Sequence, residues 1–543
     1  MGLRLIYGRA GTGKSEKCYK EISEKIKQNN KILIITPEQF SFTAEKKLME
    51  AIETEAVFNA EVVTFSRMAY RVIQEIGGRT ETNLSKCGKA MLIYSILNNC
   101  KKDLKFLGKT DENVDMAGTA ITEFKKHGIS VEQLKQETEK QSDIYLKNKL
   151  NDINMIYEKF QEQIAGKYID ETDLLTILAQ NVDKVPDFNE NLIYIDEFAG
   201  FTSQEYDIIQ KLVKIAKQVT ITICTDTIHE IKNADTDIFY SNQITINKLL
   251  QLASENDIKI EEVELEQTYR FKTPELKHLE QNLYNSKINY CEQIPQNIKI
   301  FLAKNQYSEI EEVAKKIYKL VRDENYRYRD IAVITKNIDT YSSLARAIFD
   351  KYNIPIFIDE NRDLSQNILV QYVLSILEIF TKNWTEEAVL NYIKIGFSEI
   401  DEDDLFRLEK YCLKWGIKQN KWKKEFTYGN YEEKDKEEIA RLEEIRKQII
   451  EPLISLKNKL DENKTAEGIS RTIYNFLIEQ NIAKKIKQKQ EKLEEQGLID
   501  LSNEYQNSIQ TIIDILDEIV LVFKDDKITL DKYAQILKVG FKN

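Results

Sequence analysis

Eight consecutive residues near the start of the chain have the spacing of a phosphate-binding loop, G-x-x-x-x-G-K-[ST]. The run is Gly8, Arg9, Ala10, Gly11, Thr12, Gly13, Lys14 and Ser15. Glycines tolerate positive φ and let backbone N–H groups approach an anion, and the following helix adds its positive N-terminal end. We expect Lys14 to reach the β- and γ-phosphates of ATP and Ser15 to ligate Mg²⁺. The alternative interpretation of the run is a flexible glycine turn.

Two adjacent carboxylates, Asp196 and Glu197, directly follow a short apolar run at 192–195. A continuous apolar run of this length is typical of a strand buried on both faces of a parallel sheet. We expect Asp196 to hold Mg²⁺ and Glu197 to orient or deprotonate an attacking water, so that Glu197 and Lys14 are the candidate catalytic residues. We also expect the strand before the loop and the strand before the acidic pair to be neighbours. The alternative for the acidic pair is a solvated turn after a buried strand.

The elements that must position these residues are short strands alternating with helical stretches. Strand-like runs occupy 3–7, 31–36, 62–65, 192–195 and 219–224. Strands that alternate with helices predict an α/β fold with a doubly wound parallel sheet, in which ligands bind at the carboxyl ends of the strands.

Composition excludes several classes of protein. The formal net charge of −12 over 543 residues argues against a histone-like binder of duplex DNA, although it allows a locally basic channel. No run of 18 apolar residues occurs, so we expect no transmembrane helix and no membrane partner. The six cysteines form no CxxC pair, which argues against a disulfide framework and a zinc site. We expect a cytoplasmic protein.

Four segments together resemble the AddB family, the helicase-like and nuclease subunits of the bacterial AddAB complexes that process DNA double-strand breaks. The segments are GRAGTGKS (8–15), ITPEQFSFTAEKKL (35–48), EVVTFSRMAYRVIQEIGG (61–78) and IYIDEFAGFTSQE (193–205). The resemblance implies a superfamily 1 helicase-like, RecA-like P-loop sheet with inserted helical subdomains and a second, partial RecA-like domain.

The resemblance also implies a domain layout. The P-loop domain would occupy 1–95 plus 181–295, a helical insertion 96–180, the start of the second RecA-like domain 296–383, and a second helical insertion 384–543. Family members continue into a nuclease domain and an iron–sulfur cluster held by cysteines. We therefore expect this chain to be a partial one, with the nuclease and the cluster absent from it.

The resemblance assigns further site residues. Arg270, in the segment EQTYRF (266–271), matches the arginine that faces the γ-phosphate. The candidate DNA contacts, at a surface that scans for the Chi recombination hotspot, are Gln39, Ser41, Phe65, Arg67, Tyr70 and Phe201. Amide and arginine side chains can read bases, and aromatic rings can stack on them. The alternatives are core packing for each aromatic ring and a solvated or ion-paired role for Arg67.

Departures from the helicase pattern affect the expected mechanism. Ala199 stands where superfamily 1 helicases have a glutamine that couples the γ-phosphate to DNA. We therefore expect ATP and Mg²⁺ binding with weak or absent hydrolysis, in a subunit that guides single-stranded DNA and scans for Chi beside an AddA-type helicase–nuclease partner at a duplex end. Such a complex repairs double-strand breaks by homologous recombination. Two alternatives are an autonomous DNA-stimulated ATPase or helicase of superfamily 1, and a P-loop kinase or nucleotide-binding regulator that does not bind DNA.

One segment outside these motifs interleaves basic and aromatic residues. In 414–424, KWGIKQNKWKK, lysines alternate with two tryptophans. The segment could contact duplex DNA, or it could be a solvated face that the two tryptophans anchor.

Overall fold

The structure is a computed structural model, and it describes most of the chain. The described residues are 2–52, 59–107, 113–229, 237–284, 288–292, 294–360, 367–429, 431, 433–497 and 499–542. They divide into two compact units. The first, here called the sheet unit, comprises Met1–Val62, Asn191–Gly200 and Lys217–Arg362. The second, the helical unit, comprises Val63–Glu190, Phe201–Ala216 and Asp363–Asn543. The division into four domains stays a prediction.

A six-stranded sheet is the centre of the sheet unit. Its strands are β1 (Leu3–Gly8), β2 (Ile32–Ile35), β3 (Ala60–Val63), β6 (Leu192–Ile195), β7 (Gln218–Cys224) and β8 (Ile260–Glu264), in the spatial order β3-β2-β6-β7-β1-β8. The pairings of β2 with β6, β6 with β7, β7 with β1 and β1 with β8 are all parallel. The expected α/β fold with a parallel sheet is confirmed.

Local sequence explains why these strands form. Every residue of β2 and β6 is apolar and buried, as expected for strands covered on both faces. The strand expected at 62–65 lies two residues earlier, and Phe65 instead begins a helix. Strand β8 was not expected from the sequence, and its acidic residues face solvent at the sheet edge.

One expectation about the sheet is wrong. The strand of the glycine loop, β1, is not a neighbour of β6, because β7 lies between them. In register, Thr222 of β7 lies beside Ile6 of β1, and Thr220 of β7 lies beside Tyr194 of β6. At about 4.8 Å per strand, this arrangement separates β1 from β6 by about 10 Å. Strand order depends on long-range pairing, which local apolar runs do not encode.

The helices of the sheet unit cover the sheet or follow it. They are α1 (Lys14–Lys27), α2 (Ser41–Ile52), α10 (Tyr240–Glu255), α11 (Pro274–Asn282), α12 (Gln306–Asp323) and α13 (Ile338–Lys351). Residues of α12 and α13 form a separate small core with Ile354. Among the described residues of 294–360 there is no hydrogen-bonded strand, and Ile300, Leu302 and Ile334 are more than 90% exposed. The second RecA-like domain therefore stays a prediction.

The helical unit contains the remaining helices and a two-stranded parallel sheet of β4 (Thr82–Leu84) and β5 (Tyr168–Asp170). Its first helices are α3 (Phe65–Glu75), α4 (Lys86–Cys100), α5 (Asn113–Lys126), α6 (Val131–Glu139), α7 (Ile144–Ile164), α8 (Glu171–Asn181) and α9 (Ser203–Ile215). The others are α14 (Ile368–Thr381), α15 (Glu386–Lys394), α16 (Glu402–Trp415), α17 (Glu433–Glu462), α18 (Ala466–Glu479), α19 (Ile482–Glu495), α20 (Ile499–Phe523) and α21 (Leu530–Lys542).

The core of the helical unit joins residues that are distant in sequence. Helix α4 is buried along most of its length and packs against α5, α7, α20 and α21. The contact with α21 is close, because a Cβ atom added at Gly540 would lie 2.1 Å from the Met91 side chain. Within the described ranges, no helix is both long enough and apolar enough to span a bilayer.

Candidate nucleotide site

The glycine loop connects β1 to α1 and has the backbone geometry that its glycines permit. Gly11 and Gly13 have φ values of 76° and 81°, in the left-handed region that disfavours residues with a Cβ atom. At Gly8 the requirement is space, since a Cβ atom there would lie 2.5 Å from the Leu265 carbonyl oxygen. Gly13 is the residue before α1, and because it has no side chain it cannot cap the first N–H groups of the helix. The N-terminal N–H groups of an uncapped helix are suited to binding an anion.

The Lys14 side chain folds back over the loop. Its Nζ atom donates hydrogen bonds to the carbonyl oxygens of Gly8, at 2.8 Å, and Arg9, at 2.9 Å. Burial lowers the pKa of the Lys14 ammonium, and the carboxylates of Asp196 and Glu197 offset only part of this shift. The acidic pair therefore lies within electrostatic range of the ammonium group, although it belongs to a strand two positions away.

Asp196 is buried and only partly hydrogen-bonded. Its Oδ1 atom accepts a short hydrogen bond from the Thr222 hydroxyl on β7. Its Oδ2 atom is also buried and has no hydrogen-bond partner in the described part of the chain. Burying a carboxylate oxygen without a partner is costly, and a bound cation would remove that cost. Mg²⁺ prefers oxygen ligands. The Asp196 carboxylate and the Ser15 hydroxyl are ligands of this type, so these residues fit the ion.

Glu197 lies at the end of β6 in an unusual backbone conformation. Its φ of 67° is uncommon for a residue with a long side chain, and such positions cluster at functional sites. Its Oε1 atom accepts hydrogen bonds from the Ser15 hydroxyl, at 3.4 Å, and from Lys47 Nζ of α2, at 3.1 Å. The structure thus brings the end of the glycine loop and the acidic pair together. Lys47 was not predicted from the sequence.

The segment around Arg270 packs directly on the loop. The N–H of Tyr269 donates to the Gly11 carbonyl oxygen at 2.8 Å, and the N–H of Arg270 approaches the same oxygen at 3.4 Å. The positive charge of Arg270 contributes to lowering the pKa of Lys14, after the larger effect of burial. The arginine expected at the γ-phosphate is therefore beside the loop.

These groups line one cavity of about 1050 Å³. Of the predicted site residues, the cavity is lined by Ala10, Gly11, Gly13, Lys14, Ser15, Asp196, Glu197 and Arg270. Residues that the sequence analysis did not predict also line it, among them Lys47, Thr222, Cys224 and Asn242. The Asn242 side chain donates to the Cys224 carbonyl oxygen at 2.5 Å, which fixes α10 against the end of β7.

Three residues of the predicted phosphate loop, all of them described, do not line the cavity: Gly8, Arg9 and Thr12. The Arg9 side chain instead donates from Nε to Glu280, at 3.0 Å, and lies 5.0 Å from the centre of the Phe239 ring. The Thr12 hydroxyl donates to the Arg9 carbonyl oxygen at 2.9 Å. The side chains of Arg9 and Thr12 therefore stabilise the loop, and a role in binding phosphate would be left to their backbone.

Comparison with known proteins supports the resemblance found in the sequence. A family model described as "ADDB, N-terminal" matches residues 5–280, which is half of the chain. The chain belongs to the AddB family. It is 39% identical over 566 residues to a protein of Clostridium tetani (strain Massachusetts / E88) that is named as a subunit of an ATP-dependent helicase/deoxyribonuclease. It is 36% identical over 553 residues to the protein of the same name from Clostridium novyi (strain NT).

These alignments cover 100% of the chain but 49% and 48% of the two relatives. The chain thus spans about half the length of the curated AddB relatives that it matches.

The residues expected to contact DNA in this AddB chain fall in both units. Gln39, in the 3-10 turn Glu38–Phe40, is exposed, and Ser41 begins α2 with its hydroxyl donating to the Glu38 carbonyl oxygen at 3.0 Å. Both belong to the sheet unit, whereas Phe65, Arg67, Tyr70 and Phe201 belong to the helical unit.

Exposure separates the four candidates of the helical unit. Arg67 is exposed and Tyr70 is 44% exposed, so both can meet a ligand. Phe65 is buried, which agrees with the alternative of core packing. Phe201 is half-buried and packs edge-to-face on Tyr206, with ring centres 5.6 Å apart.

Proposed function

We propose that this chain is the ATP-binding and single-stranded-DNA-guiding part of a helicase–nuclease complex, acting beside an AddA-type partner that supplies the motor. The single observation that carries the proposal is the buried Asp196 carboxylate, which has an Oδ2 atom without a partner among the described residues and belongs to a residue that lines the same cavity as Lys14 and Ser15. The relatives are named as ATP-dependent and as a subunit, which supports nucleotide use and a partner.

Each residue of the site has a proposed role. The loop N–H groups and Lys14 hold the β- and γ-phosphates, and Arg270 faces the γ-phosphate. Ser15 and Asp196 hold Mg²⁺, which neutralises phosphate charge when it is bound. Glu197 orients or deprotonates water. In this proposal the parallel sheet is RecA-like and of the superfamily 1 helicase type, and 296–383 begins a second such domain.

Two features support weak or absent hydrolysis. The Glu197 Oε1 atom already accepts hydrogen bonds from Lys47 and Ser15, which makes the carboxylate a weaker base toward the water that it would orient or deprotonate. Ala199, which lines the cavity, offers no side chain to couple a γ-phosphate to DNA. In this proposal nucleotide binding is retained, and unwinding belongs to the partner.

The DNA-related parts of the proposal rest on the family resemblance and on exposure. Gln39, Ser41, Arg67, Tyr70 and Phe201 would guide the single strand, and the same surface would scan for Chi during double-strand break repair by homologous recombination. The resemblance also implies a nuclease and an iron–sulfur cluster, which we assign to the half of the relatives that this chain does not match.

A second candidate function is an autonomous DNA-stimulated ATPase of superfamily 1. The observation that favours it is the convergence of Lys14, Asp196 and Glu197 on one cavity. A motor needs the same three groups, so the static arrangement is compatible with both functions.

ATP turnover by the purified chain, with and without a single-stranded oligonucleotide, tests the proposal. We expect tight ATP binding with negligible turnover, and a change in fluorescence anisotropy of a labelled oligonucleotide. The matched variants are Lys14→Ala and Lys25→Ala, both on α1, because Lys25 is exposed and does not line the cavity. DNA-stimulated turnover that only Lys14→Ala abolishes would favour the motor, and absence of DNA binding would contradict the DNA-guiding role.

A further inference from the structure

Six lysines lie between positions 410 and 424 of the helical unit, in a chain that is acidic overall. The cluster, here called the lysine surface, comprises Lys410, Lys414, Lys418, Lys421, Lys423 and Lys424. No Asp or Glu occurs between positions 410 and 424, whereas the whole chain has a net charge of −12. The charge of this segment is therefore opposite in sign to that of the whole chain.

The fold holds the lysine surface on a well-anchored segment. Helix α16 ends at Gly416, whose φ of 55° turns the chain out of the helix. The loop that follows is pinned by three buried apolar side chains, Ile417, Trp422 and Phe426. The Trp422 carbonyl oxygen also accepts a hydrogen bond of 3.0 Å from Arg446. The lysines between these anchors are therefore presented by an ordered backbone.

Aromatic rings position three of the lysines. Trp415 stacks on Tyr428, with ring centres 5.7 Å apart and an angle of 18° between their planes. The Nζ atoms of Lys414 and Lys421 lie 5.1 Å and 5.0 Å from the Trp415 and Tyr428 ring centres, respectively. Lys423 lies 5.3 Å from the Trp384 ring centre in the same way. These lysines are held by rings, which leave the positive charge uncompensated.

Among the described residues, none of the six lysines has a carboxylate at ion-pair distance. Nearby basic residues behave differently, since Lys394 pairs with Glu409 at 2.7 Å and Arg441 pairs with Asp404 at 2.6 Å. Like charges this close in sequence repel one another, and no described carboxylate lies at ion-pair distance to offset the repulsion. A polyanionic ligand would relieve the repulsion.

We propose that the lysine surface binds the phosphate backbone of DNA, independently of base sequence, as a contact separate from the candidate residues around Gln39 and Arg67. That the polyanion is DNA rests on the proposed function. Duplex DNA carries one charge per about 1.7 Å of its axis when both strands are counted, so a short duplex segment can neutralise several neighbouring lysines at once. Tyr428 covers one face of Trp415 and Lys414 lies over the same ring system, so in this proposal the ring holds a lysine in place.

A pair of triple variants tests the proposal. The first is Lys410→Gln, Lys418→Gln and Lys424→Gln, three exposed residues of the lysine surface. The matched control is Lys484→Gln, Lys487→Gln and Lys492→Gln, three exposed residues of α19 that remove the same charge elsewhere in the helical unit. Affinity for a labelled single strand and a labelled duplex is measured by fluorescence anisotropy over a range of salt, after circular dichroism has shown both variants to be folded.

We expect the first variant to lose about tenfold or more in DNA affinity at low salt. Because each phosphate contact contributes about 0.9 to the slope of log K against log salt on duplex DNA, that slope should fall by about 2 to 3. The control should stay within about twofold of the unmodified chain. A loss confined to the duplex, or to the single strand, identifies which form of DNA the lysine surface contacts.

Three results would overturn the proposal. They are unchanged affinity and slope in the first variant, equal losses in both variants, and competition by polyglutamate as effective as that by DNA of equal charge. Failure of the proposed function is distinguishable from these, because it would appear as an unmodified chain that binds neither ATP nor DNA.

Discussion

Asp170 in the helical unit and Asp196 in the sheet unit are both buried aspartates, with exposures of 3% and 4%. Asp170 is surrounded by hydrogen-bond donors. Its Oδ2 atom accepts hydrogen bonds from Lys89, at 2.7 Å, from Lys125, at 3.1 Å, and from the Thr172 hydroxyl, at 3.0 Å. Asp196 by contrast has one hydroxyl partner on one oxygen and none on the other among the described residues.

Burial alone therefore does not distinguish a structural carboxylate from a proposed metal ligand. Asp170 joins elements of one core and compensates two buried ammonium groups. Asp196 directly follows β6, lines a cavity, and has one buried carboxylate oxygen without a partner among the described residues. Partners, and not exposure, distinguish the two roles.

The largest expected effect is that of removing the charge of Asp170. Asp170→Asn leaves the buried Lys89 without its counter-charge and Lys125 with Asp173 alone, which should cost about 3–5 kcal/mol in the free energy of unfolding, measured by urea denaturation. Asp183→Asn is the control, because Asp183 pairs with Lys211 at the surface and should cost less than about 1 kcal/mol. Equal losses from the two substitutions would contradict the structural role of Asp170.

The charge of Asp170 also makes the free energy of unfolding depend on pH. Burial alone would raise the pKa of Asp170, but the charges of Lys125 and Lys89 outweigh it and leave that pKa below its ordinary value. The stabilisation is thus fully present above the ordinary aspartate pKa of about 3.9, and it is lost as the pH falls through the lowered pKa. The difference in unfolding free energy between the unmodified chain and Asp170→Asn should therefore narrow in acid. A difference that stays constant down to about pH 2 would contradict this assignment.

Asp196→Asn should behave in the opposite way. An amide removes the cost of burying an unpartnered charged oxygen, so without ligand the free energy of unfolding should stay within about 1 kcal/mol of the unmodified value or rise. The increase in melting temperature that Mg²⁺ and ATP produce should be lost. Thermal unfolding with and without Mg²⁺ and ATP measures both. A loss as large as that of Asp170→Asn would remove the distinction between the two aspartates.

The smallest expected effect concerns the ion pair of Glu197. Lys47→Met removes the ion pair from the Glu197 carboxylate. Because a partly exposed pair contributes about 0–1 kcal/mol, the rate of single-turnover ATP hydrolysis should rise by no more than about fivefold. The affinity for ATP should stay unchanged. Lys46→Met is the control on the same helix, because Lys46 is 68% exposed and points to Glu50 at 3.9 Å. Equal effects of the two variants would show that Lys47 has no special role.

Local patterns in the sequence predicted the parts of the molecule that local physics determines. The apolar runs of β2 and β6, and the glycines with positive φ in the loop, are properties of a few consecutive residues. Thr222 could not be predicted as a partner of Asp196, because its segment indicates only a strand and the contact depends on the position of β7 between β1 and β6.

Long-range packing also decides the remaining differences. Lys47 reaches Glu197 across 150 positions of sequence, and nothing in α2 alone distinguishes it from Lys46. The sequence around Phe65 is typical of a ring that stacks on a base, but the Phe65 side chain is buried. Ile334 has strand propensity, yet strand formation needs a hydrogen-bonding partner, which the described residues do not provide.

A calorimetric titration of ATP into the chain, with and without Mg²⁺, measures whether the cavity of Lys14 and Asp196 binds the nucleotide. We expect binding that is strengthened by Mg²⁺, weakened at least tenfold by Lys14→Ala and unchanged by Lys25→Ala. Absence of binding to the unmodified chain, or equal affinity in Lys14→Ala, would contradict this expectation.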